Sequence, residues 1–177
     1  SALNIVKEKE IGTIEQINVT PIKKHHFIIG KLLPFWILGM AVFSVGLGII
    51  AFIVYGIVPQ GNILLLYAIL AIYLLAVLGF GLLISTYADT QQQAMSVAFF
   101  FVMIFMLMSG LFTPVDSMPT WAKVIAWLNP VTYFIDVMRM IVLKGSGFND
   151  VKYHFLIIGV FAVILNGWAI LNYRKTT

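Results

Sequence analysis

Residues 32–88 read LLPFWILGMAVFSVGLGIIAFIVYGIVPQGNILLLYAILAIYLLAVLGFGLLISTYA, 57 consecutive positions without an Asp, Glu, Lys or Arg. As one continuous helix this stretch would run about 85 Å at ~1.5 Å per residue, against a bilayer hydrocarbon core about 30 Å thick, so it folds back at least once. The reversal point is Pro59-Gln60-Gly61-Asn62, four turn-forming residues between two apolar runs of 24, Phe35–Val58 and Ile63–Thr86. Backbone amides in hydrocarbon have no water to bond, so each run must satisfy them as a helix, and so short a turn makes the pair antiparallel.

The remainder of the chain fits the same solvent. Of 177 residues, 11 are Lys or Arg and 7 are Asp or Glu, a charged share of 10%. A soluble domain carries roughly 25%. With 61% hydrophobic residues there is too little polar surface to coat a water-soluble particle. A soluble enzyme, a disordered tail and a nucleic-acid-binding domain are excluded, and the net charge of +4 is what a few lysines in cytoplasmic loops would produce. There is no Cys, hence no disulfide framework and no thiolate metal site. The opening SALNIVKEKEIG has no initiator Met and no secretory pattern, which suggests a piece of a longer protein whose missing part lies upstream.

The predicted fold is all-α: a polytopic helical membrane protein with spans at 35–58, 63–86, 94–112 and 155–172. Residues 1–34 hold a cytoplasmic amphipathic segment, broken near Gly12 and at Pro21, and residues 35–177 form the transmembrane domain. The connection 113–153 is too apolar for an ordinary loop. Trp121, Val124, Ile125 and Leu128 recur at helical spacing, as do Phe134, Ile135, Met138, Ile141 and Val142, which predicts two short amphipathic helices, external or re-entrant, hinged at Pro130. Counting Lys and Arg by side places both termini in the cytoplasm, with seven positive residues inside and four outside.

No catalytic pattern is present. A G-x-x-x-x-G-K-[ST] loop is missing, so this chain has no such site for ATP, and H-E-x-x-H and G-x-S-x-G are missing too. His25 and His26 are adjacent and would diverge by about 100° on a helix, which does not build a metal site. No metal or cofactor is expected on this chain. Asp136 and Arg139, at i and i+3, read as a local ion pair on an interfacial helix.

Two separated groups of residues carry a resemblance. The first is Glu8-Lys9-Glu10-Ile11-Gly12-Thr13-Ile14-Glu15-Gln16, then Thr20-Pro21, then Gly30-Lys31-Leu32-Leu33-Pro34. The second is Ser109-Gly110-Leu111-Phe112 with Pro114, Met118-Pro119 with Trp121, and Asn129-Pro130-Val131-Thr132-Tyr133-Phe134. Together they resemble the ABC-2-type permeases, membrane subunits of ATP-binding-cassette exporters, and the likeness covers essentially the whole chain.

The family has six spans, of which this sequence would supply the last four. The resemblance implies that Glu8, Glu10, Gly12, Thr13, Glu15 and Gln16 form the elbow and the contact with a separate ATPase subunit. Thr20, Pro21, Gly30 and Lys31 would position entry into the membrane. Gly110 and Pro114 would be bending points, and Asn129, Pro130 and Tyr133 part of an external gate. It also implies a second permease half, Mg-ATP held only by the partner ATPase, and a bacterial inner-membrane setting. Other classes remain open at this stage: a non-transporting membrane scaffold, or a channel-like protein, for which mid-span charges would be expected and are absent.

Overall fold

The computed structural model describes residues 2–11, 24–56 and 58–172. They form α1 (Ala2–Ile11), α2 (Lys24–Val45) running on into a π-helical stretch (Gly46–Val54), α3 (Ile63–Tyr87) and α4 (Gln91–Leu107). A 3-10 turn (Val115–Ser117) then leads to α5 (Thr120–Trp127), α6 (Pro130–Lys144) and α7 (Phe148–Asn172). There is no strand among the described residues. Three helical stretches are long and apolar enough to cross a membrane, Ile28–Val54, Ile63–Tyr87 and Phe148–Asn172, with a fourth if the bent pair α5–α6 is counted as one span. The protein is a helical membrane protein.

Several boundaries differ from the sequence reading. Pro34 does not open the first span but lies inside α2, so the expected boundary between residues 34 and 35 falls within a helix. An interior proline withholds one hydrogen bond, here from the Gly30 carbonyl, and crowds that same carbonyl. The span ends early because the backbone turns at Tyr55 and Gly56 takes φ +63°. The expected span 94–112 is the 17-residue helix α4. At ~1.5 Å per residue it runs about 25 Å, short of a full hydrocarbon core of about 30 Å. It starts three residues early because the Thr90 hydroxyl accepts the Gln93 N–H as N-cap, and it ends early where Gly110 takes φ +80°.

The α2–α3 hairpin forms about the turn at residues 59–62. Its two arms are tied by Trp36 Nε1 donating to the Ala71 carbonyl (3.0 Å) and by Tyr67 donating to the Ser44 hydroxyl (2.7 Å). The largest core joins α3 (Leu66, Ile69, Leu70), α6 (Phe134, Val137, Ile141, Val142) and α7 (Val151, Ile158). Helices α3 and α7 make the most extensive contact in the molecule. A Cβ at Gly79 would lie 2.5 Å from Asn166 Nδ2, and that amide donates to the carbonyls of Leu75 and Ala162, both at 2.8 Å. Gly79→Ala can be accommodated only by swinging Asn166 out of its bond to Leu75, whereas Gly79→Leu must separate the helices. The expected losses are about 1 kcal/mol for Ala and on the order of 3 kcal/mol for Leu, read as a fall in the thermal midpoint in detergent.

Helix α6 lies antiparallel to α3. At one end the amides of Gln60 and Gly61 donate to the carbonyls of Val142 (3.2 Å) and Ile141 (3.0 Å); at the other Phe134 stacks on Tyr73 at 4.3 Å. Tyr73 is ten residues into α3, about 15 Å along its axis. The Asn129-Pro130 corner, where α5 and α6 meet at 83°, is therefore carried well inside the thickness of the bundle. The pair is a broken span or a re-entrant loop whose corner turns into the bundle, rather than a pair spread over one surface.

Candidate functional site

Among the described residues singled out in the sequence, Glu10 lies at one end of α4, and Gly110, Asn129 and Pro130 lie at the other. At the first end, Val6 of α1 is buried with Ile84 and Ala88 at the end of α3 and Ala94 in the first turn of α4. Glu10, one turn further along α1, accepts two hydrogen bonds from Gln91: the backbone N–H at 2.7 Å and the side-chain amide. Gln91 is the first residue of α4, so a carboxylate sits at a helix N-terminus whose amides have no partners within the helix. The two Gln91 bonds hold the Glu10 carboxyl below its ordinary range, and it is ionised at neutral pH.

Thr90-x-x-Gln93 is a capping-box spelling that announces a helix start at Gln91, three residues before the expected start of that span. Glu8 lies on α1. Gly12, Thr13, Glu15, Gln16, Thr20 and Pro21 lie outside the described residues. Gly30 and Lys31 belong to α2, between Ile28 and Leu32, which bury against Leu82 and Ala169.

At the other end of α4, the helix stops before crossing and its terminal carbonyls need donors. Asn129 Nδ2 donates to the Phe105 carbonyl (2.8 Å), Ser109 Oγ to Met106 (2.7 Å), Thr132 Oγ1 to Met108 (3.4 Å) and Arg139 Nη2 to Gly110 (3.0 Å). Asn129 is fully buried, and its Oδ1 also caps α6 by accepting the Val131 N–H at 3.0 Å. Pro130 follows as the first residue of α6, where its missing N–H costs nothing. Tyr133 donates to the Trp127 carbonyl (2.8 Å) and so braces the α5–α6 corner. Pro114 precedes the 3-10 turn.

Arg139 thus reaches across to the turn that follows α4. Its role, and that of Thr132, was hidden because both bond to backbone carbonyls, which leave no mark in a side-chain pattern. The apolar face expected on α5 turns to the outside of the bundle. Trp121, Val124 and Leu128 point outward, and the small Ala122 and Ala126 pack inward on Met118. In lipid an outward Trp is not penalised, and small residues allow the closest approach.

Between these ends lies an apolar cleft of about 330 Å³ walled by α3, α4 and α6, with Tyr73, Phe80, Phe105, Met106, Pro130 and Ile135 among its lining. A smaller one of about 240 Å³ lies between α3 and α4 nearer α1, lined by Phe80, Tyr87, Gln93 and Phe101 among others. No cluster of metal-ligating side chains occurs among the described residues.

A stretch comprising both ends of α4 and the re-entrant corner, residues 1–143, matches the family described as ABC-2 type transporter. The chain belongs to the ABC-2 type transporter family. Among its relatives, this ABC-2 chain is 37% identical over 153 residues to a protein of Escherichia coli (strain K12) named "Probable multidrug ABC transporter permease YbhR". It is 31% identical over 147 residues to "Probable multidrug ABC transporter permease YbhS" and 29% over 175 residues to "Inner membrane transport permease YhhJ", both of the same strain. Those alignments cover 85%, 82% and 97% of the chain, but only 41%, 39% and 46% of the relatives. The chain therefore spans less than half the length of these relatives. No solved structure gives a significant match.

Proposed function

We propose that this chain is the membrane-embedded, coupling part of a permease subunit of an ATP-driven exporter, working with a separate ATPase subunit and a second permease half. The observation that carries the proposal is the family match over residues 1–143, supported by relatives that bear the name of ABC transporter permeases. ATP and its magnesium would be held by the ATPase, and this subunit would supply the pathway. Residues 1–34 would be the coupling segment, with α1 and the Tyr87–Thr90 loop facing the ATPase on the cytoplasmic side of a bacterial inner membrane. The seven-to-four excess of positive residues on that side supports the orientation. The corner at Asn129-Pro130 would cap the external end. Apolar cargo suits the aromatic-lined clefts, and two relatives bear the word multidrug in their names.

The test is co-purification in mild detergent of the full-length parent protein with its ATPase, wild type beside a deletion of residues 5–21. The ATPase should be retained by the wild type and lost from the deletion, with stimulated ATP hydrolysis lost in parallel. Equal recovery with both would remove the coupling role from this segment.

A further inference from the structure

We infer that α4 is a strut pinned by polar bonds at both ends, and that Glu10 and Gln91 are the positioning residues through which a displacement of α1 moves the re-entrant α5–α6 corner. The inference deepens the proposed coupling role and rests on it.

The argument begins with what α4 lacks. Of its 17 residues only Ala94, in the first turn, is buried. Phe99, Phe100, Val102, Met103, Met106 and Leu107 all face outward. Its lateral hold on the bundle is the edge-on contact of Phe101 and the tilted contact of Phe105 with Phe80, ring centroids 5.2 Å away, and the packing of Ala94 and Ala98 at its start. In hydrocarbon such apolar contacts are exchanged for equivalent contacts with lipid tails, so they fix the position of a helix weakly. Polar bonds are not exchangeable in that solvent, because an amide or carbonyl released there finds no water.

Bonds of that kind hold the corner tip, where Asn129, Thr132 and Arg139 donate to the carbonyls of Phe105, Met108 and Gly110. At the other tip the bonds are exposed to water: Glu10 holds the first residue of α4, beside the buried contact of Val6 with Ala94. A continuous helix held at both tips transmits a push or a tilt along its axis with little loss. Helix α1 packs on α3 and α4, and no comparable contact joins it to α2 among the described residues. A route from the coupling segment therefore enters α4 directly, alongside the contact of α1 with α3.

Gln91→Pro isolates the pin. Proline at the first helical position suits an α-helix, and Thr90 already has the extended backbone (φ −121°, ψ 152°) that a following proline requires. The substitution removes both donors to Glu10 while leaving α4 able to form. Full-length protein assembled with its ATPase in lipid nanodiscs, spin-labelled at L64C on α3 and W127C at the corner, reports the spacing between the two sites with and without ATP. Both positions are exposed. The wild type should change its spacing on adding ATP. Gln91→Pro should keep the ATP-free spacing and the ATPase but lose that change; Glu10→Ala should lose the change as well, and Glu10→Gln, which retains one acceptor, should fall between. An undiminished change in Gln91→Pro and Glu10→Ala would overturn the strut while leaving the coupling role standing. No change in the wild type itself would overturn the coupling reading and the strut with it.

Discussion

Asn129→Ala should destabilise the folded protein by on the order of 2–4 kcal/mol, read as a lowered thermal midpoint in detergent or a lowered denaturant midpoint. Two losses combine in that figure. The Oδ1 cap on the Val131 N–H is an N-cap worth about 1 kcal/mol, and removing the Nδ2 donor strands the Phe105 carbonyl, a part-buried acceptor, at a cost of about 1–3 kcal/mol. The substitution series separates them. In water Asn, Asp and Ser are nearly equivalent N-caps. Here Ser should retain the cap and lose the second bond, giving an intermediate value. Asp should be at least as damaging as Ala, because it turns a carboxylate toward a carbonyl in a site from which solvent is excluded. The expected order is Asn, then Ser, then Ala and Asp. An Asp variant as stable as the wild type would show that the Phe105 bond contributes nothing and that Asn129 is only a cap.

What the sequence made legible follows the same division between solvent and bond. The uncharged run from Leu32 to Ala88, with one cluster of turn residues in it, leaves a helical hairpin as its only reading, because hydrocarbon permits few alternatives. Span ends were less legible, since they are set by single backbone events that composition does not encode. The turn at Gly56 ends the first span early, the Thr90 cap starts α4 early, and Gly110 ends it early. Proline rules drawn from soluble helices misplaced the start of α2, because Pro34 stays inside the helix. The re-entrant corner was partly visible, as an apolar connection with Asn-Pro in its middle. Its partners were not, since Asn129, Thr132 and Arg139 bond to main-chain carbonyls 24, 24 and 29 residues away. Glu10 was marked by resemblance alone, and its bond to Gln91 spans 81 positions.

Gly61→Ala should be nearly as disruptive as the loss of Asn129, although it adds a single methyl group to an exposed-looking turn. A Cβ at Gly61 would stand 2.7 Å from the Ile141 carbonyl oxygen and 3.0 Å from its Cγ2. The obstacle is helix backbone held in the main core, not a side-chain tip that can rotate away, so the turn itself must lift from α6. Lifting it breaks the Gly61 bond to Ile141 and the Gln60 bond to Val142, leaving two of the last carbonyls of α6 without donors. The expected cost is on the order of 2–3 kcal/mol, and Gly61→Val should exceed it. Gly48→Ala is the matched control, since nothing lies within 4 Å of its Cβ position and the chain there is helical; it should be neutral or slightly stabilising. If Gly61→Ala proves as mild as Gly48→Ala, the hairpin turn is not seated on α6. The re-entrant pair would then be held at that end by apolar packing alone, the class of contact that lipid most easily replaces.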